Sequence, residues 1–198
     1  VRLDMAVDGN ENNIVEVNTE PLPPGPANPH NTAFAARETL LENEHSAMRN
    51  TNSTSSRYWR IENSGKTNRL GRPTAYRLLP SSTATMFAAE NSPHAQRAMF
   101  AKHNLWVTPT DQSERYAAGD YPTQRNAGEG LPKFTANNRS VADTDLTVWH
   151  TFGLTHDVRL EDYPVMPTEY TGFMLVPDGF FERNPAIDVA PSQSGHCH

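Results

Sequence analysis

The sequence predicts an all-β fold, an antiparallel β-sandwich with long loops and one short helix, and three observations carry that expectation. Sixteen of the 198 residues are proline, about 8% against an ordinary ~5%, which breaks long helices and favours strands joined by extended loops. Val1, Leu3, Met5 and Val7 alternate with Arg2, Asp4, Ala6 and Asp8, the period-two pattern of a half-buried strand. Further short apolar segments recur between turn-rich stretches, with no internal repeat and no domain boundary, so one sandwich-like domain is the economical arrangement.

Taken in order, Asp8–Asn13 is turn-forming and Ile14–Val17 is a second strand, expected to close a hairpin with the first. Pro21–Pro29 is a Pro/Gly linker, and Ala33–Met48 has helical propensity from its Ala, Leu and Glu residues. Asn50–Ser56 is a polar loop. Arg57–Ile61 and Thr74–Leu79 flank turn-rich Asn63–Pro73 and read as another hairpin. His94–His103 is the helix candidate, because Ser92 can cap it and Pro93 is tolerated in a first turn. Leu105–Thr108, Leu146–Phe152 and Tyr170–Val176 complete the strands.

Composition narrows the function classes. The chain of 22.0 kDa is long enough for one domain, but only 36% of it is hydrophobic and its mean hydropathy is −0.69, leaving little apolar sequence to fill a core. A net charge of −6, a pI near 5.7 and no Lys/Arg cluster argue against nucleic acid as a partner. No apolar run approaches the ~20 residues that cross a bilayer, so no membrane partner is expected. Cys197 is the single cysteine and forms no internal disulfide; the tail His196-Cys197-His198 reads as an incidental cluster. Asn52-Ser53-Thr54 and Asn138-Arg139-Ser140 are sequons that would matter only in a secreted parent. Val1 falls inside a strand pattern without an initiating Met, so the chain is expected to be a fragment, and its compartment stays open.

The richest segment is Val148–Pro167, which sets His156 between a strand-like stretch and a Pro-bounded turn, a way of holding a metal ligand at a fixed angle. Taken alone, a histidine at a strand end is more often satisfied by a backbone carbonyl. However, Thr-Phe-Gly-Leu-Thr-His at Thr151–His156 and Pro-Val-Met-Pro at Pro164–Pro167 closely resemble the third copper-ligand segment of the copper-containing, topaquinone-dependent primary amine oxidases. Val1–Pro21, Tyr58–Pro80, His103–Pro132 and Gly172–Pro191 are similar to consecutive stretches of the same family. The resemblance implies that residues 1–198 are the carboxy-terminal portion of that family's catalytic domain, part of its large β-sandwich.

The resemblance further implies that His156 binds copper as one of three imidazoles. No suitable His-x-His precedes His156 here, so the other two are expected just before Val1. Topaquinone arises in the family from a Tyr in an Asn-Tyr-Asp/Glu context, which none of the six tyrosines has. That Tyr and the proton-abstracting aspartate are also expected upstream, leaving no catalytic or quinone-forming residue in this piece, which alone should be inactive. The complete enzyme would be a homodimer oxidising primary amines with O2 to aldehyde, ammonia and hydrogen peroxide. Residues 33–48 would then be extended, part of a hairpin arm embracing the second subunit, and the resemblance is followed over the helical propensity.

A second cation site is implied at Asp4 with the Met5 carbonyl and Asp145 with the Leu146 carbonyl, suited to calcium or manganese. Ala6 stands where some family members add a third carboxylate, and the plain alternative is that both aspartates cap turns. Asp145 lies eleven positions before His156, the register the resemblance requires. His150 reads as a packed or surface aromatic, not a ligand; Met166 either approaches the copper or packs in its turn. Two other readings stay open: a non-catalytic β-sandwich binding module, and a calcium-stabilised structural domain. The amine is undetermined, because the channel walls that choose it lie largely outside this chain.

Overall fold

The computed structural model describes residues 1–124 and 127–190, and these form two antiparallel sheets. Strands β1 (Arg2–Met5), β6 (Leu105–Pro109) and β7 (Leu146–His150) make a three-stranded sheet in the order β1-β7-β6. Strands β2 (Asn12–Pro21), β3 (Phe34–Leu40), β4 (Tyr58–Thr67), β5 (Pro73–Pro80) and β8 (Phe173–Asp178) make the larger one, ordered β3-β2-β4-β5-β8. The sheets bury one shared core: Met5, Val107, Leu146 and Val148 from the smaller meet Ile14, Trp59, Ile61 and Leu78 from the larger. The expected antiparallel sandwich is what forms.

Both faces of the smaller sheet are covered. Inward-facing Leu146 and Val148 join the shared core. Trp149, on the opposite face, packs with Trp106 against Leu131, Phe100 and Phe134, so all five residues of β7 are buried. Leu131 belongs to a second short helix, α2 (Leu131–Phe134), which four residues of sequence did not announce. The expected helix is shorter than His94–His103. Ser92 Oγ accepts from Ala95 N at 3.1 Å to start α1 (Pro93–Arg97), and Met99–Lys102 continues as a separate 3-10 turn. The break has a visible cause, since the Phe100 and His103 carbonyls both face the Trp106 indole N–H, at 2.9 and 3.2 Å.

The expected hairpin between the first two strands does not exist. β1 pairs with β7, whereas β2 pairs with β3 and β4, so the turn carries the chain from one sheet to the other. Side chains hold that crossing: Asn12 Oδ1 accepts from Val7 N at 2.8 Å, and Asn63 Nδ2 donates to the Val7 carbonyl at 3.1 Å. Alternation on both segments is satisfied equally well by two sheets facing one core.

The helix-forming composition of 33–48 is overridden, but the extended structure implied by the resemblance covers only β3, and residues 44–47 are turn. β3 pairs with β2 from Val15↔Leu40 to Pro21↔Phe34, and every β3 residue is exposed. Ladder bonds to an open strand edge and the ion pair of Glu38 with Arg60, 2.8 Å on both arms, outweigh a propensity of a few tenths of a kcal/mol per residue. The β4–β5 hairpin forms as expected, with longer strands. Among the described residues no helix is long and apolar enough to cross a membrane.

Candidate metal centre

β7 ends at His150, and hydrogen bonds to its neighbours fix the path of the chain beyond it. Thr151 exchanges bonds with Asn104, N to carbonyl at 2.9 Å and Asn104 Nδ2 to the Thr151 carbonyl at 3.0 Å. Gly153 N donates to Thr83 Oγ1 at 2.9 Å, and the Gly153 carbonyl accepts from Ala84 N at 3.1 Å. The segment to Arg159 then has no regular structure, and a 3-10 turn at Leu160–Asp162 leads into a cis Tyr163–Pro164 bond. This anchored but irregular route is what a short apolar strand followed by a Pro-bounded turn should give.

His156 sits on that route with both ring nitrogens engaged. Nε2 lies 3.0 Å from Asp162 Oδ2, and Nδ1 lies 3.1 Å from Glu169 Oε1. The Glu169 carboxylate, with Asp162 adding to it, holds the His156 pKa above its ordinary value. The two acids differ in fixity. Asp162 is nearly buried, its Oδ2 also accepts from Arg159 N at 2.7 Å and its Oδ1 from Arg159 Nη2 at 3.3 Å, and it is held below the usual carboxylate range first by that backbone N–H. Glu169 is 36% exposed and has no other hydrogen bond among the described residues. A fixed carboxylate behind a histidine is the usual support of a metal ligand, so the donor set fits an imidazole that keeps Nε2 on Asp162 and offers Nδ1 to a metal.

Sequence reasoning singled out His156 and named neither acid. For Asp162 a signal lay in the run itself, because a ligating histidine needs an outer acceptor and Glu161-Asp162 stand just before its Pro-bounded turn. Among the described residues no three His, Cys, Asp or Glu side chains converge on one point to hold a metal ion. Met166 is in the same turn, half exposed, and Leu154, Val158, Leu160, Val165 and Tyr170 around it are exposed as well, an apolar surface of the kind that covers another protein segment.

The carboxylate pair lies at the other end of β7. Met5 pairs directly with Leu146, and Asp4 with Thr147. Val1 and His150 exchange both backbone bonds, at 2.9 and 3.0 Å, so the alternate pair Met5–Leu146 does the same, and each carbonyl keeps one lone pair for another partner. Asp4 is half exposed beside Arg2 at 3.9 Å, and Asp145 Oδ1 accepts from Thr110 Oγ1 at 3.1 Å. His150 is the packed aromatic expected of it: it is 1% exposed among Trp59, Phe152 and Phe173, with Nδ1 donating to the Asn104 carbonyl at 2.8 Å. The tail His196-Cys197-His198 lies outside the described residues.

Comparison with known proteins shows the family. The family model described as "Copper amine oxidase, enzyme domain" matches residues 1–196. A histamine oxidase of Arthrobacter globiformis is 46% identical over 196 residues, 99% of this chain and 29% of that protein. A peroxisomal copper-containing diamine oxidase of Nicotiana tabacum is 43% identical over 96% of this chain and 25% of its own length. A copper-containing benzylamine oxidase from Hansenula polymorpha superimposes with a TM-score of 0.90 at 34% identity, over 97% of this chain and 30% of that one. The chain therefore spans between a quarter and a third of the length of these relatives. A match to the enzyme-domain model from end to end, on a sandwich that brings an acid-supported histidine to a Pro-bounded loop, places this chain in the copper amine oxidase family.

Proposed function

We propose that this chain is part of a copper and topaquinone amine oxidase, which converts a primary amine, O2 and water to an aldehyde, ammonia and hydrogen peroxide. The observation that carries the reading is His156, with Nε2 held by the fixed Asp162 and Nδ1 faced by the loosely held Glu169. His156 would bind copper through Nδ1, with the two remaining imidazoles, the quinone-forming Tyr and the proton-abstracting acid contributed by parts of the enzyme outside these 198 residues. When bound, copper and the quinone supply an electrophilic carbonyl for the amine and a redox path to O2. This chain's own residues orient the imidazole: Asp162 accepts from its Nε2–H, and the Asn104 and Thr83 contacts set where the loop leaves the sandwich.

Asp4, Asp145 and the Met5 and Leu146 carbonyls would hold a second, hard cation such as calcium or manganese. Their support is the β1–β7 register, which sets Asp4, Met5 and Leu146 at one end of the ladder, with Asp145 the residue just before β7. A homodimer is part of the same proposal, supported by the β2–β3 arm, whose outer strand is exposed along its whole length.

The test is His156→Ala in the full-length enzyme, read by copper content and by peroxide release with benzylamine and histamine. Loss of copper and of turnover with the fold intact is the expected result. A variant that keeps its copper would overturn the assignment.

A further inference from the structure

We propose that Glu169 keeps the ligating nitrogen of His156 occupied before the metal arrives, and has to swing away for copper to bind. This rests on the copper reading of His156. Both nitrogens of the ring are taken, by Asp162 at 3.0 Å and by Glu169 at 3.1 Å, so a metal can enter only where one acid leaves. Asp162 is the costly one to move, because its two oxygens also receive the Arg159 backbone N–H and guanidinium, and its side chain is only 9% exposed. Glu169 is 36% exposed and gives up a single contact, after which its carboxylate is free to be hydrated.

The arrangement has a use. A loop without regular secondary structure does not hold a lone imidazole in one rotamer, and the two acids together pin the ring from both edges. Glu169 thus acts as a placeholder that steadies the empty ring and delays metal entry, with no part in amine chemistry. A metal held by Nδ1 would take the place of its proton, which would leave to water, while Asp162 would stay on Nε2 to hold the ring plane.

The experiment uses the full-length enzyme made metal-free, mixed with Cu(II) alone, with uptake followed by Cu(II) electron paramagnetic resonance and by bound-metal content over time. Glu169→Ala should load at least about threefold faster than the wild type and reach the same final copper content, with Glu169→Gln in between. Unchanged or slower loading in Glu169→Ala overturns the proposal, slower loading showing that the carboxylate attracts the metal instead. Circular dichroism confirms that each variant is folded. A wild type that takes up no copper, or a His156→Ala variant that loads normally, overturns the copper reading itself, an outcome distinct from normal loading that Glu169 does not affect.

Discussion

Arg49 and Glu16 meet through two parallel bonds of 2.8 Å each, the guanidinium coming from the loop before β4 and the carboxylate from the middle of β2. Glu16 also receives the Trp59 indole N–H at 3.2 Å and lies 3.2 Å from Arg57, and its side chain is only 3% exposed. Burial alone would push the Glu16 carboxyl up, but the bonds from Arg49 and Asn18 and the charges of Arg57 and Arg49 bring it below its ordinary value. Glu16→Ala leaves the Trp59 N–H and the Arg49 guanidinium without their acceptor, removes the counter-charge of Arg57, which keeps its bonds to Asn18 and the Asn50 carbonyl, and should cost about 3 kcal/mol, whereas Arg49→Ala should cost less, since Arg57 stays behind. Urea unfolding midpoints of the two variants check the order; equal losses would contradict it.

Gly130 adopts φ 76° at the start of α2, and a Cβ there would lie 2.1 Å from the Ala117 carbonyl oxygen and 2.5 Å from Gly119 N. Gly71 has a similar φ of 73° with open space around it. Gly71→Ala should therefore cost only the left-handed penalty, roughly 1–2 kcal/mol. Gly130→Ala has to displace backbone as well and should fail to fold or lose several-fold more stability. Thermal melts of both variants separate strain from collision.

The pH dependence of stability should run through His150. Burial lowers its pKa, an effect the bond to the Asn104 carbonyl only partly offsets. The unfolded chain then binds a proton more readily than the folded one. The stability contribution is full above the ordinary pKa of about 6.5 and is lost as pH falls through the depressed folded value. His150→Phe cannot take up the proton. It should be less stable at pH 7, by about 0.5–1.5 kcal/mol for the lost bond to the Asn104 carbonyl, which keeps its bond from Thr151 N, yet lose less between pH 7 and 5. Urea midpoints at three pH values give the slope, and an unchanged slope would refute the assignment.

How much of this was legible in the sequence depended on the range of each interaction. Local patterns placed strands over Val1–Val7, Leu105–Thr108 and Leu146–Phe152, within two residues of the observed Arg2–Met5, Leu105–Pro109 and Leu146–His150, because alternation and turn residues act within a few positions. Pairing is a long-range property, so the same patterns misplaced the Val7-to-Ile14 connection as a hairpin when it passes between sheets. The helical composition of 33–48 was corrected only by resemblance, since nothing local shows that β2 has an open edge. At the candidate site the histidine was singled out by its flanking motif. Its carboxylates were not, because Glu169 is thirteen residues away and reaches Nδ1 only once the Pro-bounded turn has folded back.

Cation binding at Asp4 and Asp145 should be visible as a thermal shift. Asp4 is half exposed and its contact with Arg2 is 3.9 Å, so Asp4→Ala alone should change stability by no more than about 0.5 kcal/mol. If the pair holds a hard cation, calcium or manganese raises the melting temperature of the metal-depleted wild type, chelation reverses it, and Asp4→Ala abolishes the response. A wild type indifferent to both cations would leave Asp4 as a surface acid and Asp145 as the acceptor for Thr110.

Asp162 should matter to copper more than any other acid in this chain. Its Oδ2 takes both the Arg159 backbone N–H and the His156 Nε2 contact, so it links the 3-10 turn to the imidazole and fixes which nitrogen points outward. Asp162→Ala frees the ring to rotate and removes the acceptor that favours the Nε2–H form. Removing such a support typically lowers metal affinity 10–100-fold, and that range is expected here, measured by competition with a chelator of known copper affinity. Asp162→Asn keeps an oxygen acceptor without the charge and should recover part of the loss. Because Asp162 acts through His156, the Asp162→Ala effect should vanish in a His156→Ala background; an undiminished effect in the double variant would mean that Asp162 reaches the metal by another route.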